Sequence, residues 1–336
     1  MRVDLGTAPI ERITCVYIGR IGDMIVATPF LRALRKRFPK VRIRLIAGYR
    51  AEQVLPLIPF VDEKVLLGRP GQLGAHLTLA MSLLREPCDL LIDLNSSFSK
   101  TSTLIARAAR ARVSLAFDKG RGPLVFNRSI PAPAEREHMS ERYARLAEAI
   151  GAPNGPDLEL RVSAEDDARA KKLIAPLLAV DGSAFRVLIH PGNITRPPAF
   201  WPAERLTELC RRLQDDPTLR LFFLAGPGEL EMVRAIASAL PRPAPILPAA
   251  PLPVVAGMVK RMGLLVGSLT STTHMAAALG VPTFAFYEGY TQTVWRPRGA
   301  RHGGTVSAQW SGVSSTTVNE AHAALKEHLA RLSPWI

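Results

Sequence analysis

Cysteine is scarce in this chain. Cys15, Cys88 and Cys210 are scattered, and their spacing fits neither a disulfide framework nor a metal cluster. They are expected to be reduced residues in the core of a cytosolic protein. Aromatic residues make up only 6% of the sequence, which argues against nucleic-acid binding by base stacking. No apolar run is long enough to span a bilayer, and the first residues lack the apolar stretch of a secretion signal. Acidic residues are few beside basic ones, 29 against 43, which leaves a net charge of +14. Such an excess implies a polyanionic partner, which could be nucleic acid, an anionic membrane surface or a phosphorylated substrate. What the chain does have is apolar content, 47% of 336 residues, enough for sizeable cores and two domains.

The apolar residues alternate between two periods. Strand-like runs are expected at Ile13–Ile18, Val41–Ala47, Lys64–Leu67, Leu90–Leu94, Val113–Ala116, Val187–His190, Leu219–Leu224, Leu264–Val266 and Thr283–Phe286. Helix-period segments lie between most of them, beginning with Pro29–Phe38 and ending with an amphipathic Val318–Leu332. Strand and helix in alternation predict α/β architecture with parallel sheets covered on both faces. The seam is expected within Gly151–Arg186, where Gly151 to Pro156 is rich in turn residues. This gives a first domain over 1–165, a second over 166–315, and a last helix within 316–336 packing near the junction.

Four strand ends carry the candidate chemistry, as expected for open α/β sheets, where ligands bind beyond the carboxyl ends of the strands. After Ile13–Ile18 the chain breaks at Gly19-Arg20-Ile21-Gly22, and Asp23 follows at the mouth of a helical pattern. Thr28-Pro29 reads as its own N-cap and N1 pair for the main helix, placing Asp23 on a turn. A general base and a simple cap both remain open for its carboxylate. The second site is His190-Pro-Gly192-Asn193-Ile-Thr195-Arg196, where amides and polar side chains suit phosphate oxygens; His190 itself reads better as structural. In the third, Gly226-Pro-Gly228-Glu229, the glutamate suits ribose hydroxyls or an adenine amine but more simply complements a helix dipole. The fourth, Thr270-Ser271-Thr272-Thr273-His274, opens a small-residue helix. Four hydroxyls in a row exceed what one cap requires and favour a diphosphate at that helix N-terminus.

A basic strip, Arg32, Arg35, Lys36, Arg37, Lys40, Arg42, Arg44 and Arg50, lies opposite the apolar face Phe30, Leu31, Leu34 and Phe38. Its default reading is a solvated surface. It also suits contact with an anionic lipid headgroup or membrane.

Taken together, these segments resemble glycosyltransferase family 9, the ADP-heptose:lipopolysaccharide heptosyltransferases. The likeness runs over nearly the whole chain. It rests on Gly22-Asp23 with Ala27 to Leu34, on His138-Met-Ser-Glu141-Arg142-Tyr143, and on His190-Pro-Gly192. Trp201-Pro202-Ala-Glu204-Arg205, Ala225-Gly226-Pro227 and His274 to Gly280 complete it, with Leu90 to Asn95 similar to an acceptor-side strand end. The resemblance implies a GT-B fold, two Rossmann-like doubly wound domains facing across a cleft. It implies inverting, metal-independent transfer, with Asp23 as catalytic base and no cofactor beyond a nucleotide-sugar co-substrate, ADP-linked by default. Gly192, Asn193, Thr195, Arg196, Glu229, Thr270, Ser271, Thr272, Thr273 and His274 are then expected on the donor side. Arg20, Gly22, Asn95, Arg121 and His138 are expected on the acceptor side, facing an anionic glycolipid or oligosaccharide such as lipopolysaccharide core. A cytoplasmic protein is expected, peripheral on the inner membrane face and without a nucleic-acid partner.

Three departures stand out. Leu269-Thr270-Ser271 replaces the family's Asp-Thr/Ser-Gly, Ala199 stands where a lysine is common, and Phe286 to Thr291 differs from a Gly-Pro-Thr-rich loop. They motivate the alternative of a non-catalytic GT-B relative that binds a nucleotide sugar or glycan. A nucleotide-dependent oxidoreductase fits less well, because Gly19 to Gly22 lacks the three-glycine fingerprint.

Overall fold

The computed structural model describes residues 2–120, 125–152, 155–179, 184–192, 194 and 196–332. The chain divides into two compact units, Met1–Glu159 and Leu160–Ile336.

The first unit begins with β1 (Arg12–Tyr17), α1 (Ile21–Val26), α2 (Thr28–Arg37) and β2 (Arg42–Ala47), followed by a 3-10 stretch over Tyr49–Leu57. Next come β3 (Glu63–Leu66), α3 (Leu73–Arg85), β4 (Leu90–Asp93), α4 (Lys100–Ala109), β5 (Val113–Phe117), β6 (Arg128–Ile130) and α5 (Met139–Ala149). The described strands form one parallel sheet in the order β3-β2-β1-β4-β5-β6. The chain therefore winds outward from β1 in both directions, and β1 and β4 end side by side, with Val16 opposite Asp93. A sheet covered on both faces needs nearly continuous apolar strands. β1 and β4 comply, being buried along almost their whole length.

The second unit contains α6 (Ala164–Leu178), β7 (Phe185–His190), a 3-10 turn over Pro197–Ala199, α7 (Ala203–Leu213), β8 (Leu219–Phe223), α8 (Leu230–Ser238) and α9 (Leu252–Val259). It closes with β9 (Leu264–Ser268), α10 (Ser271–Ala278), β10 (Thr283–Tyr287), α11 (Gly289–Val294), β11 (His302–Val306) and α12 (Val318–Leu332). The sheet is again parallel, in the order β11-β10-β9-β7-β8. β7 and β9 run so close that a Cβ added to Gly267 would meet the His190 carbonyl oxygen at 1.8 Å. The helix α12 packs on α7 and β11 and places Ala321, Leu325 and Leu332 in the same core as Trp201 and Phe286.

Three local expectations change. Asp23 is not on a turn: it lies in the first turn of α1, a helix too short to leave a periodic signal. Thr28 is the first residue of α2 rather than its N-cap, which is Ala27. Its hydroxyl donates to the Ile25 carbonyl (2.6 Å) and accepts from the Glu159 amide (3.1 Å). The basic strip is not simply solvated, because arginines close to carboxylates in space pair with them. Arg32 meets Glu159 (3.1 Å), Arg35 meets Asp62 (2.5 Å), Arg42 meets Glu63 (3.0 Å), and the buried Arg44 meets both Glu63 (3.0 Å) and Glu86 (2.7 Å). Lys36, Arg37 and Lys40 remain exposed.

Candidate active site

In the first unit, the polar groups gather at the carboxyl ends of β1 and β4. The turn after β1 brings Asp23 back toward the strand, and its Oδ2 accepts the Arg20 amide at 2.6 Å. Gly19 makes that return feasible, since a Cβ there would lie 2.8 Å from the Asp23 Cβ. Asp23 thus complements the N-terminus of α1, yet this accounts for one carboxylate oxygen only. The carboxyl is half-buried, and burial pushes its pKa above the ordinary carboxylate value. The Arg20 amide and guanidinium pull against that shift. Its charge is felt by Tyr17 and Tyr143, whose rings meet edge to face at 6.2 Å and whose hydroxyls are held far up, mainly by burial.

Around Asp23, the acceptor-side candidates take different places. Arg20 is exposed at the N-cap of α1, and Gly22 is within its first turn. Asn95 is buried and fully engaged: its Oδ1 accepts from Ile18 N–H (3.1 Å), and its Nδ2 donates to Asp93 Oδ1 (2.6 Å) and the Val16 carbonyl (3.4 Å). It ties the ends of β1 and β4 together. Asp93 is itself wholly buried and pairs with Lys119 at 2.5 Å. His138 is buried at the N-cap of α5, where its Nδ1 accepts from Ser140 N–H (3.1 Å). Arg121 lies outside the described residues.

The second unit assembles its candidates at the carboxyl ends of β7, β8, β9 and β10. His190 Nδ1 donates to the Leu224 carbonyl (3.1 Å), which fixes the tautomer and leaves Nε2 as an acceptor toward Gly192. Burial lowers the pKa of His190, so the ring is neutral, although Glu229 at 3.7 Å opposes the shift. Glu229, also buried, accepts from Gly226 N–H at 2.7 Å. Gly192 has φ +59°, and a Cβ there would lie 2.6 Å from the Thr270 Cγ2. The loop after β7 is therefore pressed against the N-terminus of α10.

The four hydroxyls at that N-terminus divide into two pairs. Thr270 is the N-cap: its Oγ1 accepts from Thr272 N–H (3.2 Å), and Thr273 Oγ1 accepts from Thr270 N–H (3.2 Å) while donating to the Ser268 carbonyl (3.0 Å). One cap uses those two side chains. Ser271 and Thr272 remain half-exposed on the first turn, where helix amides and the helix dipole favour an anion. His274 is buried, with its ring 6.3 Å from that of Trp295. Leu269, in the position of an expected aspartate, is half-buried. Asn193 and Thr195 lie outside the described residues.

Glu288 was missed in the sequence. It sits at the end of β10, 3% exposed, with Oε2 accepting from Gly312 N–H at 2.7 Å and Oε1 3.8 Å from Arg196 Nη2. In strand order β9 lies between β10 and β7, so the loop carrying Arg196 crosses the end of β9 to reach it. An acidic residue directly after the apolar run Thr283–Tyr287 was the available signal. Among the described residues, no group of three or more His, Cys, Asp or Glu side chains is arranged to hold a metal ion.

The chain is similar to known glycosyltransferases in sequence and fold. Lipopolysaccharide heptosyltransferase 3 of Escherichia coli K12 is 22% identical over 290 residues, covering 82% of each chain. A glycosyl transferase family 9 structure from Veillonella parvula superposes with a TM-score of 0.82 at 19% identity, covering 95% of this chain and 97% of that one. E. coli heptosyltransferase WaaC with ADP gives a TM-score of 0.73 at 20% identity, covering 94% and 99%. These likenesses establish the GT-B class of fold, built of two Rossmann-like units. The model of glycosyltransferase family 9 (heptosyltransferase) matches residues 76–322, so the chain belongs to that family and is a glycosyltransferase.

Proposed function

We propose that this transferase inverts configuration and takes its sugar from a nucleotide diphosphate, with ADP-heptose the default donor. Lipopolysaccharide core or another anionic glycolipid or oligosaccharide is the acceptor, met at the inner face of the cytoplasmic membrane. One observation carries the reading: Asp23 presents a half-buried carboxyl of raised pKa at the end of β1, with only one oxygen committed to its helix.

In this scheme Asp23 accepts the proton of an acceptor hydroxyl as that oxygen attacks the anomeric carbon. The bond to the diphosphate breaks on the opposite face, and its electron pair leaves with the nucleotide. A raised pKa makes the carboxylate a stronger base toward that proton. Charge growing on the departing diphosphate is met by the α10 amides, the hydroxyls of Ser271 and Thr272, and Arg196, so no metal is required. Glu229 serves a nucleoside hydroxyl or amine. Two E. coli proteins similar to this chain are heptosyltransferases, one of them with ADP, which supports the default donor.

The test is Asp23→Ala and Asp23→Asn, assayed for transfer from ADP-heptose and, by calorimetry, for ADP binding. Transfer is expected to fall by about 10²–10⁴-fold with ADP affinity retained. The wild-type rate should decline on acidification through the raised pKa, because protonation removes the base. Undiminished turnover in Asp23→Ala rejects the assignment. Stronger thermal protection by UDP, GDP or CDP than by ADP replaces the donor.

A further inference from the structure

Four large apolar side chains stand uncovered in one region of the first unit. On α3, Leu77, Met81 and Leu84 follow at spacings of four and three, which puts them on one helix face. They are 61%, 40% and 52% exposed. The adjacent α4, packed beside α3, adds Leu104 at 66%. The inner faces of the two helices supply Leu79, Leu83, Ile105, Ala106 and Ala109 to one core cluster with Val16 and Leu91. Both helices therefore cover the same face of the sheet, and their outer faces form one continuous surface.

That surface is cationic at its margins. Lys100 and Arg107 flank Leu104 on the exposed face of α4, Arg85 ends α3, Arg110 follows α4, and all four are exposed. The carboxylates between residues 69 and 110 are Glu86, Asp89 and Asp93, and each is engaged elsewhere. Glu86 pairs with Arg44, Asp89 accepts the Glu11 and Arg12 amides (2.8 and 3.0 Å), and Asp93 pairs with Lys119.

We propose that the α3–α4 surface docks this protein on an anionic phospholipid bilayer. Leucine and methionine side chains enter the acyl boundary while lysine and arginine remain among the headgroups, the division that a helix lying in a membrane interface requires. An anionic leaflet attracts these cations within a Debye length. A symmetric contact with a second copy would set this cationic surface, with Lys100, Arg107, Arg85 and Arg110, against the same surface of the other copy, and like charges repel. The basic strip read from the sequence is a weaker candidate, since most of its arginines are paired with carboxylates in the same unit. No helix among the described residues is long and apolar enough to cross a membrane, so contact through this surface is interfacial. The proposal is independent of the donor and of Asp23: loss of vesicle binding would leave the transfer reading standing, and the reverse holds.

The full chain is sedimented with vesicles of phosphatidylcholine alone and of phosphatidylcholine with phosphatidylglycerol. Binding is expected on the anionic vesicles, weakening as salt is raised. Leu77→Glu with Leu84→Glu should lower the partition coefficient by more than about tenfold, because two apolar side chains leave the interface. Lys100→Gln with Arg107→Gln should weaken binding to anionic vesicles and reduce its salt dependence, since Arg85 and Arg110 remain. Circular dichroism and the thermal midpoint should not change, since all four side chains are exposed. Absence of binding to anionic vesicles, equal binding to both compositions, or unaltered binding by the leucine variants overturns the proposal. So does a dimer in light scattering that the same leucine substitutions dissociate.

Discussion

Replacing Gly192 with alanine tests how the loop after β7 is fitted to the N-terminus of α10. The backbone there has φ +59°, and an L-residue in the left-handed region costs about 1–2 kcal/mol. The new Cβ would also lie 2.6 Å from the Thr270 Cγ2 and 3.3 Å from His190 Nε2. The first distance is far inside contact, and relieving such overpacking typically costs about 1–3 kcal/mol. Gly192→Ala is therefore expected to destabilise the second unit by roughly 2–5 kcal/mol, the sum of the two costs. Thr270→Ser removes the clashing methyl and keeps the hydroxyl that caps Thr272 N–H. In the double variant the overlap should vanish and the backbone cost should persist, giving a coupling of about 1 kcal/mol or more. Urea unfolding of the four proteins of the cycle measures this, followed by a signal assigned to the second unit. On the donor reading, ADP affinity should fall with Gly192→Ala and return in part with Thr270→Ser. A Gly192→Ala protein within about 0.5 kcal/mol of the parent, or no coupling to Thr270, would refute the packing argument.

Two further outcomes follow from buried charge. Lys119→Met removes the cation that pairs with the buried Asp93 carboxyl, so urea unfolding should show a loss of about 3–5 kcal/mol, and adding Asp93→Asn should recover part of it. His328, buried in α12, has its pKa lowered to about 4 by burial, with Arg331 and Arg296 adding to the shift. The unfolded chain then binds a proton that the native state refuses, so stability is complete above about pH 6.5 and declines as the pH falls toward 4. His328→Leu should flatten that decline in a series of thermal midpoints against pH.

Much of the fold was legible because strand and helix periods are local properties. Apolar runs such as Ile13–Ile18 and Leu90–Leu94 announced parallel strands, and the turns after them marked the candidate sites. The elements that escaped notice are short. β6 offers only Arg-Ser-Ile, and β11 contains two glycines; both are edge strands that exist because β5 and β10 provide a template. α1 has six residues and holds through burial of Met24, Ile25 and Val26, which no window of that length reveals.

The candidate site divides in the same way. Residue type and order were enough to single out Asp23, Gly192, Glu229 and the Thr270–Thr273 run, and with them the family. Which groups have unused bonding capacity was decided by neighbours distant in the chain. Tertiary structure committed Asn95 to joining two strands and Thr273 to a cap, brought Glu288 to Arg196, and paired the arginines around residues 32–44 with Asp62, Glu63, Glu86 and Glu159. It also left Leu77, Met81, Leu84 and Leu104 facing outward, though their sequence reads as ordinary core-forming helix. Periodicity says that a helix has an apolar face; only the packed structure says what covers that face.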